Sequence, residues 1–404
     1  MPGPLAGIRV VALTHFAAGP IAAQYLGSLG ADVIKVESPN PDILRSVLSD
    51  KDGRLNGVGP HFVAVNRNQR SIVIDLKKPE GIEIACKLVA TADVLIENFR
   101  PGVLDRLGLA YEDVSKFNPT IIYGSVSAFD LDGPGRDRPG QDLLLQAQSG
   151  LASLTGRGDY PPVAAGAYII DTFAGVQLVV GVLAALQHRA KTGEGQRLRT
   201  DMMSAALFLM AQEASCVMNI GAGLNRGAST IAHVHQPAPY GIYPVKDGAV
   251  AIASFAGPHA IRRLAEALGV LAEIESLLSP DNRQLDRDGI ADALARGLKQ
   301  MTAQEATAAI GPTAAWAVPV QTLDEALEDP AVVASGIVQE IDSAYGGKYK
   351  IVAEPLKMDR TPLTTRQPAP AHGQHSRDLL LELGMSETDI ARALSKGAVL
   401  AELA

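Results

Sequence analysis

One carboxylate stands where carboxylates are uncommon. Asp171 follows Ile169 and Ile170 and opens sixteen residues, 172–187, that carry no charge. The run reads as a buried helix with a single acid at its start. Backbone N–H groups at a helix N-terminus have no partner within the helix, and the macrodipole adds partial positive charge there. An aspartate in that place has two readings. It caps the helix, as Asp does before many apolar helices, or, held ionised by those N–H groups, it attacks as a covalent nucleophile. Just upstream lie Arg138-Pro-Gly-Gln-Asp142, Gln146-Ala-Gln-Ser-Gly150, Thr155-Gly156 and Tyr160-Pro-Pro162.

The elements that must carry this acid follow from periodicity. Short apolar runs bounded by turn residues predict strands at 8–13, 32–36, 71–76, 93–96 and 120–126, with helical patterns at 21–29 and 80–90 between them. That alternation predicts βαβ units and a buried parallel sheet, an α/β fold. Two long helices follow at 172–189 and 201–219, separated by a Gly-rich turn at 191–196. After Gly221 the composition changes to a linker through residue 230. A hairpin at 241–244 and 249–253, turning at Lys246-Asp-Gly248, then starts a second domain. Helical patterns at 259–268, 290–299 and 303–310 complete it, and 318–327 begins a return segment. The tail carries strand patterns at 337–341 and 348–352 and helices near 376–383 and 386–393.

Composition narrows the class. A chain of 404 residues exceeds what one core usually organises, and 47% hydrophobic with 20% charged residues describes an ordinary globular protein. With 44 acids against 36 bases, a net charge of −8 and no basic block, the chain does not read as a nucleic-acid or membrane-surface binder. Cys86 and Cys216 are too few for a disulfide framework or a thiolate metal site and read as small buried hydrophobes. No signal peptide is visible and the longest apolar run looks too short to span a bilayer, so the cytoplasm is the expected compartment. The first strand leads into Thr14-His-Phe-Ala-Ala-Gly-Pro20, which lacks the G-x-G-x-x-G of a dinucleotide enzyme. His233 and His235 have no Cys or carboxylate cluster beside them to complete a metal site. They are expected to line an active-site entrance or a domain boundary, and Trp316 is expected to pack between domains.

The ordered blocks RPGQD, QAQSG, LTG, PP and Asp171, with the apolar helix and Thr192-Gly-Glu-Gly-Gln196 after it, resemble the class III CoA-transferases, the CaiB/BaiF or formyl-CoA transferase family. Similarity extends through Pro4–Val10, Thr14-His15, Ala18-Gly-Pro20, Leu29–Glu37, Asn66–Ser71 and Glu97-Asn-Phe-Arg-Pro-Gly102, so it covers nearly the whole chain. The resemblance implies a Rossmann-like parallel-sheet large domain with a smaller inserted α+β domain. Residues 1–220 would form the N-terminal part of the large domain, 221–325 the small domain with its linkers, and 326–404 the return to the large domain. It also implies a homodimer of two interlocked chains with active sites between domains of different subunits.

On the same resemblance, Asp171 matches the nucleophile. It would attack an acyl-CoA thioester, form a mixed anhydride and then an aspartyl-CoA thioester, and pass CoA to an acceptor carboxylic acid with no metal or redox cofactor. Coenzyme A would be held by His15, Ala17, Ile74, Lys77, Asn98, Phe99, Arg100, Arg106, Arg138 and Gln141, the arginines taking phosphates. Backbone N–H groups near Gly19 or Gly140 would stabilise the oxyanions. Two departures bear on substrate. Formyl-CoA transferases have Gln where Ala17 stands and a glycine run where this chain has Ala253-Ser-Phe-Ala-Gly-Pro-His259, which turns the expectation away from formate and oxalate. The related α-methylacyl-CoA racemases use a His where Gln141 stands, and Gln does not exchange protons near neutral pH. The alternatives are an acyl-CoA racemase or epimerase and a non-catalytic CoA-binding protein. The expected acids are small aliphatic or dicarboxylic ones.

Overall fold

The computed structural model describes residues 2–48, 55–221, 226–227, 234, 236–254, 257–278, 286–313 and 315–401. Its main sheet is built from β1 (Arg9–Leu13), β2 (Asp32–Glu37), β3 (Gln69–Ile74), β4 (Val94–Glu97), β5 (Ile122–Ser127) and β6 (Gln196–Asp201). The order is β3-β2-β1-β4-β5-β6, all parallel, and the C-terminal pair Val399–Leu400 adds an antiparallel edge to β3. Strand order reverses at β1, which pairs with β2 on one side and β4 on the other. A crevice at the carboxyl ends of β1 and β4 follows from that reversal.

The central strands form because both of their faces are covered. Val10, Val11, Ala12 and Leu13 are all buried, as are Val94, Leu95 and Ile96. One face packs on Ala22 and Leu26 of the first helix, Ala18–Ser28, and on Leu178 and Val182 of the long helix, Ile169–Thr192. The other packs on Ile84 and Leu88 of helix Pro79–Ala90 and on Leu379 and Leu380 of the tail helix Ser376–Glu382.

Three expectations need correction. Where a turn is expected over 191–196 and a helix from 201, the chain forms β6, Gln-Arg-Leu-Arg-Thr-Asp, over Gln196–Asp201. This edge strand is only partly buried and carries Arg197 and Arg199 paired with Glu112 and Asp132, so no apolar alternation marks it. The helix expected over 201–219 is two, Met202–Leu209 and Ala211–Ile220, bent by 77° at Met210. The apolar run extends into a 24-residue helix, Ile169–Thr192, long and apolar enough to cross a membrane by length and composition. It packs on the sheet through Ala174, Leu178, Val179, Val182 and Ala185, as a core helix does.

The chain divides into two compact units, Met1–Leu145 with Tyr168–Leu209 and Pro330–Ala404, and Gln146–Ala167 with Met210–Asp329. The first holds the parallel sheet. The second holds an antiparallel sheet of β7 (Gly241–Val245), β8 (Gly248–Ala253) and β9 (Trp316–Pro319), covered on one face by helices Pro258–Ala267, Arg287–Leu298 and Ala303–Ile310. Trp316 is 72% exposed on β9.

In the first unit the tail is tied to the N-terminal residues by buried polar groups. Arg45 donates to both Glu37 carboxylate oxygens at 2.9 and 2.5 Å and to the Pro370 carbonyl at 2.9 Å, and its guanidinium lies 3.7 Å from the Phe62 ring centroid. Ser71 Oγ donates to Glu37 at 2.8 Å. A second ribbon, β10 (Val338–Asp342) with β11 (Lys348–Val352), buries Tyr349 and Ile351 against Val58 and Phe62.

Burial alone would raise the Glu37 carboxyl, but the hydrogen bonds and charge of Arg45, with Lys35 and His372, outweigh it and hold it at about 2. A depressed carboxylate contributes stability that is present above its unfolded value and lost as pH falls through its folded one. Glu37→Gln should therefore lower the stability of this unit by about 3 kcal/mol at pH 7, since it strands a buried guanidinium. Denaturant titrations should show the deficit narrowing as pH drops from 4.5 toward 2; an equal deficit at all pH values would rule the pair out as its source.

Candidate active site

The loop after β1 is held in an uncommon conformation. Phe16 has φ of +61°, in the left-handed region that non-glycine residues rarely occupy. Such strain, of order 1–3 kcal/mol, persists only where neighbours enforce it. Two groups do so. Asn98, just past β4, accepts from the His15 N–H at 3.0 Å and donates to the His15 carbonyl at 2.8 Å. Lys35, fully buried on β2, donates to the Thr14 carbonyl at 2.9 Å while paired with Asp42 at 3.2 Å. Gly19 has to be glycine here, because a Cβ would stand 2.7 Å from Thr14 Cγ2 and 3.1 Å from Asn98 Cγ.

His15 and Phe99 meet across this clasp with ring centroids 5.5 Å apart. Burial pulls the His15 imidazole below its ordinary value, opposed by Asp42 and assisted by Lys35 and Arg100. The shift favours the neutral imidazole.

Asp171 is the third residue of its helix, after an N-cap, Tyr168, that makes no side-chain cap bond. The capping reading of Asp171 is thereby excluded. The cap is supplied from a distance by Asp142, 3% exposed, whose Oδ2 accepts from the N–H groups of Ile170 at 2.8 Å and Asp171 at 3.0 Å. The Asp171 carboxylate instead lies by the N–H of Ala18 at the start of the first helix, which favours its ionised form. Close contact between the two helices brings these groups together, since a Cβ at Gly175 would lie 2.7 Å from the Ala18 carbonyl oxygen.

Burial, with the Asp142 carboxylate adding to it and the Ala18 N–H opposing, pushes Asp171 up to about 7. The expectation that helix N–H groups hold this acid firmly ionised is thus reversed. Those donors are occupied by Asp142, which also adds like charge.

The other sequence-derived residues fall into three places. His15, Ala17, Asn98, Phe99 and Arg100 belong to the loops after β1 and β4, with Ala17 the N-cap of the first helix. Arg106 is exposed, and a Cβ at Gly102 would lie 3.5 Å from its Nη1 and 3.8 Å from Nη2 of Arg136. Arg138 stacks its guanidinium 4.4 Å from the Phe129 centroid, and Gln141 is exposed immediately before Asp142. Ile74 and Lys77 lie at the end of β3, beyond β2; the Ile74 side chain is fully buried in the core and Lys77 is exposed.

Sequence reasoning did not single out Arg136 or Asp142 for a role. The only signal for Asp142 was its place in the RPGQD block, and nothing in periodicity connects it to a helix 29 residues later. His233 and His235 lie outside the described residues. Among the described residues no three His, Cys, Asp or Glu side chains converge as a metal ion requires.

Comparison with known proteins agrees with this arrangement. The model of CoA-transferase family III matches residues 5–376. The succinate–glutarate CoA-transferase of Agrobacterium fabrum is 34% identical over 94% of this chain and 96% of its own length. A formyl-CoA:oxalate CoA-transferase of Streptomyces avermitilis is 30% identical over 99% of this chain and all (100%) of its own. A solved CaiB/BaiF family protein from Brucella suis is 31% identical, with a TM-score of 0.80, covering 95% of this chain and 100% of that one.

The raised Asp171 carboxyl carries a stability cost. Ionising it in the folded state is unfavourable, so the cost is absent below about pH 4, grows as pH rises to about 7 and is complete above that. Asp171→Asn should therefore gain stability relative to wild type between pH 4.5 and pH 8, by about 1–3 kcal/mol after discounting for solvent screening at this half-buried site. Thermal melts across that range check it; a constant difference would mean that Asp171 titrates as an ordinary aspartate.

Proposed function

The chain belongs to CoA-transferase family III, a family of transferase enzymes, and from that premise we propose that it moves coenzyme A from an acyl-CoA donor to a carboxylic acid through covalent intermediates on Asp171. The observation that carries the reading is the environment of that acid: a half-buried carboxylate facing Asp142, beside the Ala18 N–H and poised near neutrality at about 7. A carboxylate of such basicity is a better nucleophile than an ordinary aspartate and still a competent leaving group.

Four acyl transfers complete the cycle. An Asp171 oxygen attacks the thioester carbonyl of the donor and expels CoA thiolate, leaving a mixed anhydride. The thiolate then attacks the aspartyl carbonyl, releasing the donor acid as its carboxylate and forming aspartyl-CoA thioester. An acceptor carboxylate attacks that thioester, expels thiolate and forms a second anhydride. Attack of thiolate on the acceptor carbonyl yields the new acyl-CoA and frees the Asp171 carboxylate. Each step exchanges one acyl bond for another, so no metal or redox group is called for. The Ala18 N–H beside the resting carboxylate would bond an oxygen of the aspartyl tetrahedral species.

Coenzyme A fits the crevice at the ends of β1 and β4 in this reading. Arg100, Arg106 and Arg136 have no carboxylate partner among the described residues and, with Arg138, would meet its phosphates. His15, Ala17, Asn98, Phe99 and Gln141 would line the pantetheine path, and Lys77, with the backbone near Ile74, would serve the farther end. Small aliphatic or dicarboxylic acids are the proposed partners, in keeping with the acids named for the succinate–glutarate relative.

The enzyme would act in the cytoplasm as an interlocked homodimer. Val180, Leu183, Leu207, Phe208 and Leu209 leave 37–66% of their surface exposed on adjoining helices, an apolar face suited to burial against a second copy. Analytical ultracentrifugation giving a monomer would remove that part of the proposal.

Asp171→Ala should abolish CoA exchange between succinyl-CoA and glutarate, by about 10³-fold or more, without loss of CoA binding. Arg136→Ala should raise KM for acyl-CoA about tenfold with kcat little changed. Rapid α-proton exchange of a 2-methylacyl-CoA in deuterated water, without transfer to any acid, would instead favour a racemase.

A further inference from the structure

We propose that Asp142 is a positioning residue for the nucleophile: from another helix it takes the backbone N–H groups of Ile170 and Asp171, fixing the Asp171 carboxylate and denying it those donors. The inference rests on the reading of Asp171 as the transferase nucleophile. Three observations converge on it. The long helix has no cap of its own, since Tyr168 makes no side-chain cap bond. Asp142 supplies both missing bonds, at 2.8 and 3.0 Å, from a site only 3% exposed. Asp142 is itself fixed as the first residue of helix Asp142–Gln148, whose Leu145 is fully buried in the core.

An N-cap normally serves a helix and nothing else. Here the two N–H groups it consumes belong to the nucleophile and its neighbour, so capping and catalysis compete for the same donors. Asp171 is left with the Ala18 N–H and faces a second carboxylate. None of the groups that shift Asp171 is a cation. Helix Ala18–Ser28 offers no ionisable side chain except Tyr25, and helix Met202–Leu209 offers none. On β6, Arg197 and Arg199 are engaged by Glu112 and Asp132. His15 answers electrostatically to Asp42, Lys35 and Arg100. Asp142 is therefore the charge that acts on Asp171, and it keeps the nucleophile basic while holding it still.

The test uses the full-length enzyme with succinyl-CoA and glutarate, measured from pH 5 to pH 9. Asp142→Asn retains an oxygen that accepts the two N–H bonds and removes only the charge. It should move the acid limb of kcat/KM at least one unit lower, because Asp171 then ionises more readily, and lower kcat about tenfold at pH 8 with KM for acyl-CoA nearly unchanged. Asp142→Ala should lose the cap as well and fall about a hundredfold or more in kcat with a lower melting temperature.

A second readout needs no turnover. The pH-dependent rise in melting temperature caused by Asp171→Asn should shrink by half or more in the Asp142→Asn background, as coupled sites require. Should Asp142→Asn fail to fold, Asp142→Ser, whose hydroxyl accepts one of the bonds, carries the same expectations. An acid limb within 0.2 units (about the precision of such profiles) of wild type, or an undiminished melting effect, overturns the proposal. Failure of the wild type to transfer with any donor would count against the transferase reading instead, while the melting cycle still decides whether Asp142 acts on Asp171.

Discussion

At Gly175 the carbonyl of Ala18 occupies the space a side chain would need. The two helices that flank this contact, Ala18–Ser28 and Ile169–Thr192, can approach so closely only because residue 175 has no Cβ. One turn earlier on the same face stands Asp171, which is brought to the Ala18 N–H. The site depends on this contact in both directions. The first helix must begin where it does, and its start is set by the strained loop that Asn98 and Lys35 hold from β4 and β2. The parallel sheet thus reaches Asp171 through backbone hydrogen bonds more than through side-chain packing.

Charge is distributed unevenly across this framework. Beneath and beyond the crevice, buried ions are paired: Lys35 with Asp42, Glu37 with Arg45, Arg67 with Glu354. Within it, Asp171 faces another carboxylate, Phe16 is held in a left-handed conformation, and three arginines stand without acidic partners among the described residues. Local departures from the most stable arrangement gather where binding and chemistry are proposed, and the paired interior sustains them. An arginine with no acid beside it is available to a phosphate, and a carboxylate denied its helix donors is available to an acyl carbon.

The parts legible from sequence were those with a local signature. β1 and the core of β2 to β5 are apolar runs because both faces of the sheet are covered, and Asp171 was conspicuous as one acid before an uncharged helix. β6 escaped because an edge strand of Gln, Arg, Leu, Arg, Thr and Asp satisfies its charges at the surface. The bend at Met210 left no proline or glycine at that position to announce it. Asp142 was invisible to periodicity because the helix it caps lies elsewhere in the chain, and Arg136 because the residues near it, Gly102 and Arg106, come from another loop. Trp316, a large apolar residue, lies on the open face of the small sheet. Sequence found the acid; only the fold reveals what surrounds it.

The central claim is that Asp171 becomes acylated during turnover. The most direct measurement is peptide mass spectrometry after the protein has met an acyl-CoA and then hydroxylamine, which converts aspartyl anhydrides and thioesters to a stable hydroxamate. The account predicts a hydroxamate on the peptide carrying Asp171, formed only when an acyl-CoA is present. An enzyme that binds and exchanges CoA while that peptide stays unmodified with every donor would contradict it.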